Sequence, residues 1–510
     1  MYIYIYIMPK TKSRSVKSKT KKYNNDICSN NMSFDDCEIA ILRQAVDVAE
    51  LKQGLRKVNN DDIKSILKIV EDFIQSESLI CYGGTAINNL LPKSSQFYKR
   101  DLEIPDYDFY SSDALNDAKK LANIYFEAGY IDVEAKSGVH YGTFKVFVNY
   151  IPIADITMMH KTIYDTLSKD AISISGIKYA PPNFLRMSMY LELSRPDGDV
   201  SRWEKVMKRL NLLNKQYPFD SNKNCKLIDF KKVSKTTSDK NLKLNGILRD
   251  IFIDNGLVFF GGYSTQLYSK YITCKKSKKS LLAIPDFDIL SEDPCKSAII
   301  AKESLLRLDY TNVTTVKHNA IGDLIPEHVE LIVDGNSMAF IYKPVACHSY
   351  NEVEVEDKTI NIATIDTILA FYLSFLYADM PYYDKDRLLF IATFLFNIQC
   401  KNRFTQTGIL KRFNIDCYGK QNTLEDMRSI KSDKFEEFKL DRLNPEYEMW
   451  FLNYKPNKMI ELPNRNKNKT MKSNKSNSKL NKHTKTNKKP KSNVLSKLKN
   501  KLLNFKYFQT

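Results

Sequence analysis

The sequence predicts an α/β (α+β) chain of two tandem mixed-sheet domains with helical connecting and C-terminal segments. Three observations predict it. Short apolar runs that read as strands alternate with stretches whose apolar residues recur at helical spacing. An ordered pattern of helix, strand, Gly-Gly, helix and Pro-Asp-aromatic-Asp runs through residues 61–108. The same pattern returns over residues 242–288, and the Gly84-to-Asp106 and Gly262-to-Asp286 spacings differ by two residues. The expected segments are a basic N-terminal arm (1–35), a first domain (36–180), a helical connector with a Lys-rich linker (181–240), a second domain (241–355), a helical region (356–462) and an Asn/Lys-rich disordered tail (463–510).

The elements follow in order. Residues 8–24 are basic and poor in large apolar groups, as in a flexible arm. Helical patterning covers about 34–55. Ile63, Ile66, Leu67, Val70 and Phe73 form one stripe of an amphipathic helix over 61–75. Leu79, Ile80 and Cys81 form a short strand, Gly83-Gly84 a turn, and Ile87, Leu90 and Leu91 the apolar face of the next helix. Lys93, Lys99 and Arg100 lie in a loop. A helix over 114–128 stops at Gly129. Then Phe144, Val146 and Val148 alternate with Lys145, Phe147 and Asn149, and a turn at Asn149-Tyr150 leads into a strand over 151–157 that contains Asp155. Pro181-Pro182 marks a boundary. Residues 183–213 read as two helices broken at 195–199, the second carrying Arg202, Lys205 and Arg209 beside Trp203, Val206, Leu210 and Leu213. After the linker the pattern starts over, and helices over 365–378 and 382–397 follow the second copy. Residues 464–492 are of low complexity, and 494–508 is a basic amphipathic stretch.

Composition narrows the function. The 510 residues are 43% apolar, with 30 Tyr and 27 Phe, enough for several cores. A net charge of +18 points to a polyanion partner. The longest apolar run, near 368–378, lies between Asp366 and Asp379 and is too short to span a membrane. Residues 1–7 alternate like a strand but are too short for a signal peptide, and Met8 reads as an alternative start. The nine cysteines include no Cys-x-x-Cys pair. Cys347-His348 has no further ligand near it in sequence, so no zinc site is expected, and reduced, mostly buried thiols are. No Walker-type run is present, which disfavours a P-loop ATPase.

The chemistry concentrates in the first copy. Gly83, Gly84 and Thr85 leave backbone N–H groups open to a phosphate at the start of a helix. Asp106 and Asp108, two apart on a strand, share a face, and their mutual repulsion calls for a divalent cation. Asp155 is a lone carboxylate inside an apolar strand, costly to bury without a cation or donor. Arg202 and Lys205 lie on a basic helix face that is either solvated or a clamp for phosphates.

Gly83-Gly84, Asp106, Asp108 and Asp155 together resemble the signature of the DNA polymerase β-like nucleotidyltransferase superfamily. The wording around Pro105-Asp106-Tyr107-Asp108-Phe109, Leu193-Ser194-Arg195-Pro196 and Arg202-Trp203-Glu204-Lys205 resembles the poxvirus-type poly(A) polymerase catalytic subunits, particularly those of giant DNA viruses related to mimivirus. The resemblance covers roughly residues 60–400. It implies two tandem nucleotidyltransferase-like domains and template-independent transfer of AMP from ATP to an RNA 3′ end. It implies two Mg²⁺ or Mn²⁺ ions on Asp106, Asp108 and Asp155, with the triphosphate against Gly83, Gly84, Thr85, Arg202 and Lys205. It further implies mRNA 3′ ends and ATP as partners, a homodimer, no membrane, and action in the cytoplasmic viral factory of an infected host with packaging in the virion. Two other readings stand beside it: a CCA-adding or small-molecule nucleotidyltransferase, and a non-catalytic RNA-binding or processivity subunit.

The second copy is expected to be degenerate. Laying Phe144–Asn149 over Val329–Asp334 puts Asp155 on Phe340, and residues 337–342 contain no acid. Glu330 is the acid that a longer gap would bring in.

Overall fold

A computed structural model describes residues 27–28, 31–58, 60–98, 105–219, 239–271 and 287–456. Most of the basic arm and of the Lys-rich linker lies outside the described residues, as do Lys99, Arg100, Asp286 and the whole tail.

The first copy opens with helices α1 (Phe34–Val58) and α2 (Asp61–Ser76). Asn60 caps α2 by accepting from the Asp62 backbone N–H; Ile63, Ile66, Val70 and Phe73 of the predicted stripe are buried, together with Ile74, while Leu67 is half-buried. Strand β1 (Ile80–Cys81), α3 (Gly83–Leu90), β2 (Tyr107–Ser111), α4 (Ala114–Glu127), β3 (Val133–Ser137), β4 (Thr143–Val148) and β5 (Ile151–Met158) follow. The turn between β4 and β5 is at Asn149 and Tyr150, both with positive φ (49° and 64°), the left-handed pair that a tight hairpin needs. Helix α5 (Lys161–Asp170) and a small hairpin, β6 (Ile172–Ile174) and β7 (Ile177–Tyr179), were not foreseen from the sequence. Pro182 then starts α6 (Pro182–Leu193), and α7 (Trp203–Gln216) follows the predicted break.

The second copy repeats this order. It consists of α8 (Asp239–Asp254), β8 (Val258–Phe259), α9 (Gly262–Tyr268), β9 (Phe287–Leu290), α10 (Pro294–Leu306), β10 (Val313–His318), β11 (His328–Val333), β12 (Asn336–Tyr342), β13 (His348–Val355), β14 (Lys358–Ala363), α11 (Ile365–Phe375) and α12 (Lys385–Lys401). The chain closes with β15 (Cys417–Tyr418), α13 (Leu424–Phe438), α14 (Pro445–Phe451) and β16 (Asn453–Tyr454).

The two sheets share one strand order. One runs β16-β3-β4-β5-β2-β1-β7-β6 and the other β10-β11-β12-β9-β8-β14-β13-β15. Seven strands correspond one to one, from β3 and β10 at one end to β6 and β13 at the other. The sense of pairing corresponds as well: β1 is antiparallel to β2 and parallel to β7, as β8 is to β9 and β14. The expected boundary after residue 355 falls inside the β13–β14 turn, where Glu356 and Asp357 take positive φ, so the second sheet runs on to Ala363. The copies meet through corresponding helices. Helix α6, which follows β7, packs on α11, which follows β14. Phe184 meets Tyr377 there at 5.1 Å between ring centroids.

The C-terminal segment, expected to be helical, also supplies a strand. β16 pairs antiparallel with β3 and covers an edge of the first sheet. Lys431 Nζ donates to the Gly138 carbonyl at 2.8 Å, and Tyr454 Oη to Asn123 of α4 at 2.7 Å. The cysteine expectation needs correction. Cys28–Cys37 and Cys347–Cys417 form disulfides, because chain reversal and sheet pairing bring their Cα atoms to 5.2 and 5.1 Å. The second joins β15 to the start of β13 across a separation of 70 residues.

Candidate active site

The site begins where β1 leaves the sheet. Tyr82 N–H donates to the Asp108 carbonyl at 2.9 Å, which pins the turn to β2. Gly83 has φ +69°, and a Cβ there would meet Asp108 Oδ2 at 2.6 Å. Glycine is therefore what lets the turn lie against the aspartate. A Cβ on Gly84 would meet the Tyr98 hydroxyl at 2.6 Å and the Arg209 guanidinium at 3.1 Å. Thr85, buried, donates its hydroxyl to the Asp106 carbonyl at 2.6 Å and so ties the start of α3 to the aspartate pair. Asn88 Oδ1 accepts from the Phe97 and Tyr98 backbone N–H groups at 2.9 and 2.8 Å and holds the following loop over α3.

The carboxylates come from neighbouring strands. Strands β2 and β5 run parallel, and Asp108 stands directly beside Asp155 in their register. Paired residues on adjacent strands share a face. Asp106, just before β2, is exposed, whereas Asp108 and Asp155 are half-buried. Burial, with Asp155 and then Asp106 adding repulsion, pushes Asp108 up to about 7, and Lys145 and Arg209 only partly offset this. Asp155 is held by an ion pair with Lys145, its neighbour on β4.

Metal chemistry fits this donor set. A carboxylate that retains its proton because burial, and then two neighbouring acids, disfavour its charge is relieved by a divalent cation. The three acids are not drawn into a tight cage. Among the described residues the set of three candidate ligand atoms within 4.8 Å of one another is Asp197, Cys347 and Cys417. There the sulfurs are bonded to each other, which leaves one exposed carboxylate. His348 packs its ring against Phe371 at 5.0 Å and is pushed down to about 3 by burial, with Arg195 adding, so it stays neutral in the core.

The basic helix contributes differently from expectation. Arg209 is the residue that reaches the glycine turn: its guanidinium donates to Tyr98 Oη at 2.6 Å and lies 4.8 Å from the Phe97 ring centroid. Arg202 pairs with Glu192 at 3.3 Å, and Lys205 is exposed one turn before Arg209 on α7. The helical spacing put all three on one face. What selected Arg209 was the Phe97-Tyr98 pair, whose approach is a tertiary matter.

The second copy lacks the acid. Phe340 stands beside Asp288 in the parallel β9–β12 register, and Glu330 stands where Lys145 stands in the first copy. Glu330 is engaged by Ser337 and, at 3.0 Å, by His318. A Cβ on Gly261 would collide with Asp288 as one on Gly83 would with Asp108, so the close approach of the turn to the aspartate is retained although Gly261 has φ −91° where Gly83 has +69°. The space beyond it is filled. Phe340 contacts Tyr382 at 4.9 Å, Tyr342 bonds Tyr383 at 2.8 Å, and His328 bonds Tyr382 at 2.8 Å. Asp288 is buried beneath these rings.

A glycine turn at a helix start thus lies beside three carboxylates, two on adjacent parallel strands and Asp106 just before one of them, an arrangement suited to hold a divalent cation next to a phosphate. Residues 68–199, which hold the turn and all three acids, match the family model described as poly(A) polymerase catalytic subunit. A provisionally named poly(A) polymerase catalytic subunit of African swine fever virus (isolate Tick/Malawi/Lil 20-1/1983) is 33% identical over 170 residues, 32% of this chain and 35% of that protein. Its counterpart from Acanthamoeba polyphaga mimivirus is 31% identical over 162 residues, 31% of this chain and 27% of that protein. The matched segment thus spans about a third of the length of these curated relatives. The crystal structure of the Megavirus polyadenylate synthase superposes with a TM-score of 0.68 at 19% identity, covering 87% of this chain and 89% of that one, and so shares the fold.

Proposed function

We propose that this chain is a template-independent polynucleotide adenylyltransferase, joining AMP from ATP to an RNA 3′-hydroxyl with release of pyrophosphate. The observation that carries the reading is the Asp108–Asp155 pair on parallel strands, beside Asp106 and the Gly83 turn, within the segment that matches the poly(A) polymerase catalytic subunit family. Asp106, Asp108 and Asp155 would hold the divalent ions, Mg²⁺ or Mn²⁺. When bound, these supply a lowered pKa at the attacking hydroxyl and neutralise charge on the triphosphate. The protein does the rest through placement. The start of α3 presents backbone N–H groups to phosphate, and Arg209, positioned by Tyr98, adds a positive charge beside them. Lys205, one turn before Arg209, lies within the same basic face. Lys145, on the other side of Asp155 from Asp108, restrains the Asp155 carboxylate through their ion pair.

The reading of a non-catalytic binding subunit describes the second copy, with its Phe340 and filled cleft, and leaves the first copy's three acids without a use. A homodimer and a site of action in the viral factory belong to the proposal through the family likeness. The deciding experiment incubates the chain with an RNA primer and each nucleoside triphosphate singly, with and without divalent metal. Long extension with ATP and metal alone supports the reading. Addition limited to one or two residues from CTP or a single residue from ATP, or none, overturns it.

A further inference from the structure

The charged residues of the first copy form a row across the sheet. On β3, β4, β5 and β2 the register sets Lys136 beside Lys145, Lys145 beside Asp155, and Asp155 beside Asp108. Residues paired in this way share a face. Phe147 lies on that face two residues from Lys145, half-buried, with Lys136 Nζ 5.9 Å from its ring centroid. β16 extends the row: Asn453 pairs with Lys136, and Lys455 Nζ reaches Glu134 at 3.4 Å. Glu134 is thus shared by Lys136 and Lys455, which leaves a net positive charge, and both lysines are about half exposed (45% and 49%). With strands about 4.8 Å apart, the row from β2 to β16 is about 19 Å long, the reach of a few nucleotides.

The second copy is an internal control. Its corresponding row is Val316, Glu330, Phe340 and Asp288. Ile332, next to the matching bulge, replaces Phe147. No strand lies beyond β10 among the described residues, where the first sheet has β16. Both lysines, the aromatic ring and the added strand are thus missing from the copy that lacks the third carboxylate. Lysines kept only for solubility have no reason to disappear together with an acid on a neighbouring strand.

We propose that this face, Lys145–Phe147–Lys136–Lys455, is the track that carries the 3′-terminal nucleotides of a single-stranded RNA toward Asp155. Lys136 and Lys455 meet backbone phosphates, and a base stacks on Phe147. The C-terminal strand is therefore part of the RNA site. The inference rests on the adenylyl-transfer reading for its occupant, and its test does not need turnover.

The full chain and the variants Lys136→Gln/Lys455→Gln and Phe147→Ala are titrated against a fluorescent single-stranded oligoribonucleotide by anisotropy at several salt concentrations. The lysine pair should weaken binding roughly tenfold and flatten the log Kd against log salt slope by about 0.7 per lost contact. Phe147→Ala should weaken binding roughly tenfold with the slope retained. In extension assays the primer KM should rise and the ATP KM should not follow it. Unchanged affinity and slope in the lysine pair overturn the track, whether or not the chain extends primers. Binding that weakens as stated in a chain that extends nothing supports the track and overturns the activity reading instead.

Discussion

Phe340 stands against Asp288 in the same parallel register that sets Asp155 against Asp108. One phenyl ring thus occupies the place of a carboxylate in an otherwise matching strand pair. The consequence can be measured in extension rate. Asp288→Asn should leave the rate close to that of the parent chain, whereas Asp108→Asn should lower it by orders of magnitude. Equal losses in the two variants would mean that both copies work.

Asp155 is tied to Lys145, and that tie should matter to chemistry more than to folding. Asp155→Asn should lower extension by orders of magnitude while the thermal midpoint stays within a few degrees, since both side chains are partly exposed and such pairs contribute about 1 kcal/mol or less. Retention of most of the activity would remove Asp155 from the set of metal ligands.

The raised Asp108 gives a pH signature in metal-free protein. An unfolded aspartate loses its proton near pH 4, whereas folded Asp108 retains it up to about 7. Between those values the folded state binds more protons than the unfolded state, so stability falls as pH rises. With chelator present, the thermal midpoint should drop across that window. Asp108→Asn should flatten the drop and raise the midpoint at pH 7, by an effect on the order of a few kcal/mol. Identical pH profiles for the two proteins would refute the shift.

The Cys347–Cys417 bridge closes a long loop. A closure of this length stabilises by about 4 kcal/mol in the chain-entropy account. Reductant should therefore lower the thermal midpoint of the parent chain more than that of Cys417→Ser, in which only the short Cys28–Cys37 loop remains to be opened. A midpoint indifferent to reductant in the parent chain, with the linked peptide absent from a non-reducing digest, would show the pair to be open.

Much of this site was legible in the sequence because its signals are local or repeat. The Asn149-Tyr150 turn separates β4 from β5, and Asp155 stood out as the lone carboxylate of an apolar strand, a reading the family resemblance supported. The repeat let Phe340 be matched to Asp155, and the sheet register puts it there. The alternative acid, Glu330, proved to stand at the place of Lys145. What stayed hidden depends on distant contacts. Arg209 was one of three basic residues on a helix face until Tyr98 was seen to hold it. Cysteines at 347 and 417 carry no mark in sequence of the strand pairing that brings them together. Two-residue β16 has too little pattern to announce a strand, and its partner β3 lies some three hundred residues earlier.

That last distance has a consequence in time. A ribosome finishes β3 long before it reaches Asn453, so for most of synthesis the first sheet has a bare edge that only the end of the described chain can cover. The nascent protein can assemble its carboxylates and glycine turn early, yet it lacks a complete first sheet until the ribosome has passed Tyr454. Premature termination anywhere in the second copy would release a polypeptide that has its acids in place and an open strand ready to join another chain.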